Sequence, residues 1–384
     1  MKLTINQIFQ NADNEIKNSN FKKGIEYYKL ILKIEPNNHN AYMLLGLAYH
    51  KIKYYDESIK NYEKAIKLKP NFAMTYFYLG NIFYDLKKTK DAIKNYKEAI
   101  KLQDNLVGAH FNLGNLFYGL KEFKDAIKSY KIAAKLDPNF FGIYLCLGNI
   151  FKDLGELDNA EFYFKKVISL NPKLSQIKDE LQTVSKLKKL LSNIKDFSKN
   201  DNINPDESSY FSNEPFITNR PVESDIIKFL YEIDSKKFEE AVDARYGNGR
   251  CSLDFDLFEE ENSIIASVSK DIIDICENAL NSKIFIYDSF FNILNTKGGT
   301  TPHDHLTEFD KNKGLIHKKY SLVYYVSTGD QNCSDPGILK LYNPDKEILP
   351  SKGMIVIIPA NQKHSAIYNG NKDRIMIGVN FYCL

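Results

Sequence analysis

Three histidines near the carboxyl end have the residue type and the spacing that metal binding requires. His303 and His305 follow a turn at Gly298 and Gly299. Alternate residues of an extended chain point the same way, so both imidazoles can face one cavity. His364 starts the penultimate predicted strand, which can lie beside them. Because imidazole nitrogens are good ligands for transition metals, the pattern predicts a three-histidine metal site.

Arg374 is placed to bind a carboxylate beside that metal. It follows His364 by ten residues, across a turn at Asn369, Gly370 and Asn371. From the last predicted strand its side chain could reach the same cavity. A guanidinium group pairs with a carboxylate through two parallel hydrogen bonds. We therefore expect an acidic ligand next to the metal.

Each of these residues also has a plainer interpretation. Taken alone, His303 and His305 flank a surface turn and could be solvated, and Arg374 would be a surface cation on an edge strand. Asn292 and Asn380 could line a pocket, although hydrogen bonding to a sheet edge explains them equally well. The joint register of the histidines and the arginine favours the metal site.

Asp304 lies between two of the candidate ligands. In a regular strand its side chain points to the opposite face, whereas a bulge or a loop could swing it inward. His317 is expected to be exposed.

Short β-rich runs separated by glycine, proline and asparagine must position these side chains. The runs span residues 284–293, 320–327, 337–342, 353–358, 364–368 and 374–382. Helical patterns at residues 222–244 and 261–280 precede them. Helices followed by strands predict an α+β domain with an antiparallel sandwich, at residues 222–384. A double-stranded β-helix, or jelly roll, is the natural closure of such strands.

The first half of the chain repeats every 34 residues. Gly46, Gly80, Gly114 and Gly148 mark the period, and an aromatic column and a small-residue column keep the same register. The aromatic column is Tyr28, Tyr62, Tyr96, Tyr130 and Phe164. Prolines 36, 70, 138 and 172 end each second helix, with Asp104 in the place of one of them.

This pattern resembles the tetratricopeptide repeat (TPR). The match spans residues 3–172 in five repeats, and a capping helix is expected over residues 173–197. The predicted fold class is thus multidomain, an all-α TPR solenoid followed by the α+β domain. The expected boundaries are 1–197 for the solenoid, 198–221 for a polar linker and 222–384 for the jelly roll.

The stretch from Phe290 to Leu384 resembles the iron(II)- and 2-oxoglutarate-dependent dioxygenases. It is most similar to a subfamily with His-x-His before a Ser-x-Val-Tyr-Tyr strand, here His303 to His305 and then residues 321–325. The resemblance implies iron(II) held by the three histidines and 2-oxoglutarate held by Arg374.

Two departures from the family pattern concern ligands. His305 stands where the superfamily has an acid, which leaves the iron without a carboxylate. Met376 replaces a small hydroxyl residue, so that Tyr324 or Tyr320 is expected to supply a hydroxyl to the cosubstrate. The segment from Leu306 to Lys319 is longer and more charged than in the subfamily and could form a lid.

Composition bounds the remaining functions. Residues 1–200 carry a net charge of +12 and residues 201–384 a net charge of −9, without an arginine before Arg220. No arginine-rich stripe for nucleic acid is present, and the lysines are typical of solubilised outer helix faces. No window approaches a transmembrane span, and the five cysteines are scattered. A cytoplasmic protein with reduced thiols is expected, neither nucleic-acid-binding nor membrane-bound.

The resulting hypothesis is a dioxygenase that hydroxylates a protein or peptide docked in the TPR groove. The alternatives are a scaffold protein with a degenerate oxygenase domain, and a three-histidine dioxygenase that needs no 2-oxoglutarate. Small-molecule oxidation also stays open, as does the oligomeric state. The segment from Arg245 to Cys251, with two arginines around a glycine-containing turn, could close over an anion or could be a plain loop.

Overall fold

The computed structural model describes residues 4–200, 214–233, 236–237, 247–251, 256–343 and 345–384. It divides into two compact units. One comprises Met1–Phe151 with Asp158–Asp179, and the other comprises Lys152–Leu157 with Glu180–Leu384. Among the described residues, none of the helices combines the length and the apolar character needed to cross a bilayer.

Ten helices of near-equal length form the repeat region. They are α1 (Ile5–Lys17), α2 (Phe21–Ile34), α3 (His39–Lys51), α4 (Tyr55–Leu68), α5 (Ala73–Asp85), α6 (Thr89–Leu102), α7 (Val107–Gly119), α8 (Phe123–Leu136), α9 (Phe141–Asp153) and α10 (Leu157–Leu170). Each even-numbered helix ends two residues before its proline, and α6 ends at the same place before Asp104. The turn therefore survives the loss of one proline, as expected.

The glycines of the repeat exist because the aromatic column packs onto them. A Cβ atom at Gly80 would lie 2.7 Å from the Tyr96 ring, and one at Gly148 would lie 2.5 Å from the Phe164 ring. Real side-chain contacts are never that short, so only glycine permits the two helices of a repeat to approach this closely. Tyr62, Tyr96 and Tyr130 are each fully buried.

A left-handed residue closes the turn inside each repeat. The positions recur every 34 residues and have φ between 56° and 67°. They are Ser19, Lys53, Lys87, Lys121 and Gly155. Only the last is the glycine that this conformation favours.

Helix α11 (Gln176–Asn200) covers most of the predicted capping helix. Its apolar residues Val184, Leu187 and Leu190 are buried, and Lys186 forms an ion pair with Asp256 of the same unit. From Glu180 onward it is part of the second unit.

The second unit combines short helices with ten strands. Its helices are α12 (Ser224–Glu232), α13 (Ser263–Leu280) and α14 (Glu308–Asn312). Its strands are β1 (Phe216–Asn219), β2 (Lys236–Lys237), β3 (Gly247–Cys251), β4 (Ile284–His303), β5 (Lys319–Ser327), β6 (Pro336–Tyr342), β7 (Lys346–Ile348), β8 (Met354–Pro359), β9 (Lys363–Tyr368) and β10 (Arg374–Cys383).

The predicted helix over residues 222–244 is shorter than expected. Helix α12 ends at Glu232 because Ile233 adopts an extended conformation, and β2 follows. The second predicted helix is confirmed as α13. The Asn262 side chain caps its start by accepting hydrogen bonds from the backbone N–H groups of Ile264 and Ile265.

All the described strand pairings are antiparallel, and the long strand β4 contributes to two groups of strands. Residues 284–294 of β4 pair with β10, which continues through β5 and β8 to β1. Residues 298–303 of β4 pair with β9, which continues through β6 to β7. The β-rich antiparallel character predicted for this region is confirmed.

Alternation along β5 and β10 separates two apolar cores. One face packs against α12 and α13 and includes Tyr324 and Ile377. The opposite face meets β6 and β7 and includes Tyr325 and Met376. Neighbouring residues of one strand thus belong to different cores, and only the second face lines the cavity described below.

Candidate metal centre

The three predicted histidine ligands converge. His303, His305 and His364 each offer a ring nitrogen, and these atoms lie within 4.8 Å of one another. The Nε2 atoms of His305 and His364 are 3.3 Å apart. Two nitrogens that each bind one metal ion at about 2.1 Å lie at most about 4.2 Å apart, so a small rotation of the rings would let all three bind one ion. Among the described residues, no other group of histidine, cysteine and acidic side chains has this arrangement.

Strand pairing brings the histidines together. His303 is the last residue of β4 and stands directly opposite His364 of β9 in the register. A shift in the pairing register between Thr300 and His303 changes the direction of the end of β4. The backbone N–H of His305 donates to the carbonyl of Ala360, 2.9 Å away, which returns this residue to the sheet beyond the end of the strand.

Backbone carbonyls orient two of the rings. Nδ1 of His303 lies 2.8 Å from the Thr301 carbonyl, and Nδ1 of His364 lies 3.0 Å from the Gln362 carbonyl. A carbonyl only accepts, so each Nδ1 carries the proton and each Nε2 keeps its lone pair for a metal. Burial lowers the pKa of His364 to about 4, so it is a neutral ligand at physiological pH.

Asp304 does not join the ligand group. Its side chain is exposed, and Oδ1 accepts a hydrogen bond from the Leu306 backbone N–H at 3.1 Å. The inward swing considered from the sequence therefore does not occur. The candidate ligand set is three imidazoles without a carboxylate.

A cavity of about 70 Å³ opens beside the histidines. At 10–15 Å³ for each water position, this is room for roughly five waters, or for a small organic acid. Its wall is mostly apolar, with Phe290, Val323, Tyr325 and Met376, and Asn292 adds an amide. The pocket interpretation of Asn292 and Asn380 is therefore the one the structure favours.

Arg374 is buried at the end of the same strand face. It is fully inaccessible, and its Nη1 donates to the carbonyls of Pro336 and Gly337 at 3.1 and 2.6 Å. Its Nε and Nη2 have no hydrogen-bond partner among the described residues. The guanidinium carbon lies 5.0 Å from the ring centroid of Tyr325, a residue of the cavity wall. Burial lowers the pKa of this arginine, with Tyr325 and Tyr368 opposing the shift.

The two tyrosines predicted to contact a cosubstrate point elsewhere. The Tyr324 hydroxyl donates to the Pro221 carbonyl at 2.9 Å and accepts from Arg220 at 3.1 Å, on the helix side of the sheet. Tyr320 stacks on Phe381 in the same core. Both expectations were wrong because they placed the wrong set of alternate residues of β5 on the cavity side. The cavity residue is Tyr325.

A polar relay on the cavity wall escaped the sequence analysis. Ser321 Oγ donates to Oδ1 of Asn380 at 2.5 Å, and Nδ2 of Asn380 donates to Asp288 at 2.7 Å. Burial raises the pKa of Asp288 to about 6, against the lowering effect of the Asn380 hydrogen bond. The alternation of Ser321, Val323 and Tyr325 on β5 was the signal that could have revealed it.

The segment after His305 is anchored rather than lid-like. Phe309, Asp310 and Leu315 are buried. Asp310 accepts hydrogen bonds from Lys319 at 2.9 Å and from the Tyr382 hydroxyl at 2.6 Å. The lid expectation for residues 306–319 thus gives way to a packed loop.

The segment from Arg245 to Cys251 is described only in part. Arg245 and Tyr246 lie outside the described residues, and residues 247–251 form β3.

Comparison with known proteins identifies the helical half. Models described as TPR repeat match residues 54–87, 80–121 and 114–155, and one described as tetratricopeptide repeat matches residues 142–174. Helices α1 to α10 are thus an all-α TPR array. Such repeats stack into extended concave binding surfaces, and their presence implies protein–protein interaction.

Several solved structures of TPR proteins resemble this half. MamA is 26% identical, with 46% of this chain and 99% of that chain covered at a TM-score of 0.40. YrrB, described as a TPR protein with an unusual peptide-binding site, is 18% identical over 45% and 89% at 0.39. Pseudomonas aeruginosa PilF is 16% identical over 51% and 97% at 0.42. No curated protein matches the chain.

Proposed function

We propose that this chain is an iron(II)- and 2-oxoglutarate-dependent hydroxylase whose TPR array docks a protein or peptide substrate. One observation carries the proposal. Three imidazoles converge beside a small cavity, and its wall contacts a buried guanidinium whose Nε and Nη2 have no hydrogen-bond partner among the described residues.

The strand order supports a double-stranded β-helix for the second unit. Two antiparallel four-strand groups share the long strand β4, in the orders β4-β10-β5-β8 and β4-β9-β6-β7. In each group the neighbours alternate between early and late strands of the chain, as jelly-roll winding requires. The histidines lie where the second group begins, and Arg374 starts the last strand.

The donor set fits iron(II). Imidazole nitrogens suit iron, and each Nδ1 fixed by a carbonyl leaves Nε2 free to coordinate. His303, His305 and His364 would hold the metal, and the remaining positions would be open to cosubstrate and oxygen. With 2-oxoglutarate bound, iron supplies an oxidation in which O₂ gives one oxygen to a substrate C–H bond and one to succinate, with release of CO₂.

The chain's own residues bind and orient. Arg374 would pair through Nε and Nη2 with the distal carboxylate of 2-oxoglutarate, since these two atoms have no other partner among the described residues. Phe290, Val323 and Met376 exclude water from the cavity, which strengthens the charged contacts inside it. The hydrogen bonds of Asn380 with Ser321 and Asp288 fix the orientation of its amide, and thus which of its atoms face the ligand.

A second function is favoured by a specific observation. Among the residues that the structure describes, no acid joins the three histidines, and a carboxylate completes the usual facial triad for oxygen activation. A binding protein that holds metal and organic acid without turnover, with the TPR array as its interaction module, fits that departure. Turnover decides between the two functions.

The deciding experiment is succinate release. The full chain, loaded with iron(II), is given 2-oxoglutarate with and without candidate peptides. A hydroxylase releases succinate that depends on peptide, and His364→Ala abolishes it while His317→Ala, an exposed histidine outside the cluster, retains it. Tight binding of metal and acid without succinate would leave the interaction function standing. Oxygen consumption that proceeds without added 2-oxoglutarate, and that Arg374→Ala leaves undiminished, would instead identify a three-histidine dioxygenase that needs no 2-oxoglutarate.

A further inference from the structure

Three cations are buried among the described residues of the second unit, and two of them are paired with acids. Arg220, Lys319 and Arg374 are each at most 5% exposed. Arg220 forms ion pairs with Glu223 at 2.6 Å and Asp271 at 2.8 Å. Lys319 pairs with Asp310 at 2.9 Å. Arg374 contacts only carbonyls and aromatic rings among the described residues.

The cavity beside Arg374 offers no compensating charge. None of the described residues that line it is an aspartate or a glutamate. Asp304 is exposed and bonded to the Leu306 backbone, and Asp288 is engaged by Asn380 behind the wall. Because burying an unpaired charge costs free energy, an anionic ligand beside Arg374 would be stabilising.

A metal at the histidines would add to this imbalance. Three neutral imidazoles bring no negative charge, so a divalent ion keeps its full charge of two. Together with Arg374 this gives three positive charges in a largely apolar space, and like charges repel strongly at low dielectric. A dicarboxylate carries two negative charges and can address both centres at once.

We infer that metal binding at the histidines and dicarboxylate binding at Arg374 are coupled through charge, so that each ligand alone binds weakly and the pair binds tightly. The inference rests on the proposed function. The coupling is reciprocal, since an acid that raises metal affinity is itself bound more tightly by the same factor when metal is present. It also assigns His305 a role, because an acid in its place would neutralise part of the charge and weaken the coupling.

The test measures Co(II) affinity by calorimetry on the full chain, without oxygen chemistry. Affinity is compared with no acid, with 2-oxoglutarate and with 2-oxopentanoate, which has the same metal-chelating end and a methyl group in place of the distal carboxylate. We expect 2-oxoglutarate to raise Co(II) affinity at least tenfold more than 2-oxopentanoate does.

Two variants sharpen the test. Arg374→Met should bind Co(II) roughly threefold or more tightly than the wild type without any acid, since a repelling charge is removed, and should not distinguish the two acids. His305→Asp should likewise bind Co(II) more tightly without acid and gain less from 2-oxoglutarate. His317→Ala is the matched control and should behave as the wild type. Circular dichroism checks folding, and the comparison of the two acids needs no variant.

The outcomes distinguish failure of the coupling from failure of the proposed metal and acid sites. If Co(II) binds His364→Ala as well as the wild type, the metal site and the coupling both fail. If 2-oxoglutarate does not bind, the acid site and the coupling both fail. If metal and acid bind but both acids raise Co(II) affinity equally, and Arg374→Met matches the wild type without acid, the coupling alone is wrong.

Discussion

His364 stays uncharged well below the pH at which an ordinary histidine takes up a proton. Burial lowers its pKa to about 4 in the folded protein, whereas in an unfolded chain the value is about 6.5. As the pH falls, the unfolded state is therefore protonated first. This contribution to stability is complete above about pH 6.5 and is lost as the pH falls toward 4.

A pH-dependent difference in stability follows for the metal-free protein. Between pH 7 and pH 5, the wild type should lose about 2 kcal/mol more of its free energy of unfolding than His364→Gln does. Urea unfolding with a chelator present, followed through the second unit, measures this. Equal losses in the two proteins would contradict the assigned burial and neutrality of His364.

Gly337 gives Arg374 its position. The residue has φ of +75°, and a Cβ atom there would lie 1.2 Å from Nη1 of Arg374. Gly337→Ala should therefore displace the guanidinium, weakening 2-oxoglutarate binding at least tenfold while Co(II) binding without acid persists. Gly314→Ala is the control, because Gly314 has φ of +68° but open space around its Cβ position. Equal effects of the two variants on acid binding would refute a role in placing Arg374.

At the scale of residues, prediction was limited by the question of which face of a strand each side chain occupies. The convergence of the three candidate histidines was predictable because alternate residues share a face and the pairing of β4 with β9 brings His303 opposite His364. Tyr324 was mistaken for a cavity residue because the run of residues 320–327 is largely apolar on both faces, and Ser321 was the one weak sign of which face lines the cavity. Buried strands of that kind lose the alternating polar signal.

At the scale of elements, both ends of the loop between His305 and Lys319 are hydrogen-bonded to the backbone of one residue. Ala360 accepts from the His305 backbone N–H and donates its own to the Lys319 carbonyl, each at 2.9 Å. Inside the loop, Asp310 joins α14 to Lys319 and Tyr382. The loop therefore holds His305, the candidate metal ligand that stands outside the strands.

Breaking this ion pair should loosen the loop. Asp310→Asn leaves Lys319 buried with a reduced partner, and we expect a loss of about 3–5 kcal/mol in the stability of the second unit. The double variant Asp310→Asn with Lys319→Met removes the uncompensated charge and should recover part of that loss. Chemical unfolding of the three proteins measures both effects. A double variant that is less stable than Asp310→Asn would show that the charge is not the cause.

The repeat turns offer a stabilising change. Lys87 is exposed and has φ of 56°, and Gly155 takes the equivalent place two repeats later. Lys87→Gly should raise the stability of the array by about 1 kcal/mol, since a side chain in the left-handed region is strained. Lys94→Gly, at an exposed interior position of α6, is the control and should lower stability by about 1 kcal/mol. Thermal unfolding that ranks the two variants in the reverse order would contradict the strain argument.

Most elements of the array were predictable because each repeat poses the same packing problem. The 34-residue period of glycine, aromatic and proline fixes helix ends and contacts without reference to distant parts of the chain. The strands of the second unit were found, but the end of α12 was misplaced. Residues 236–237 pair with β3 instead, and a distant partner of that kind leaves no local pattern.

At the scale of the whole molecule, a repeat array that implies protein interaction shares a chain with a unit that has a candidate metal centre. The net charges of +12 in residues 1–200 and −9 in residues 201–384 concern partners and solubility rather than the chemistry of the site. The proposed hydroxylase joins the two halves, because docking a protein at the array would supply the side chain that is oxidised.

The most direct test of the central claim is the visible absorbance of the full chain titrated anaerobically with iron(II) and 2-oxoglutarate. Chelation of iron by the 2-oxo acid gives a charge-transfer band. We expect a saturable band in the wild type and no band in His364→Ala. In Arg374→Met, formation of the band should depend much less on the distal carboxylate of the acid than it does in the wild type. A wild type without the band, or a band of equal strength in His364→Ala, would contradict a centre built from these three histidines and Arg374.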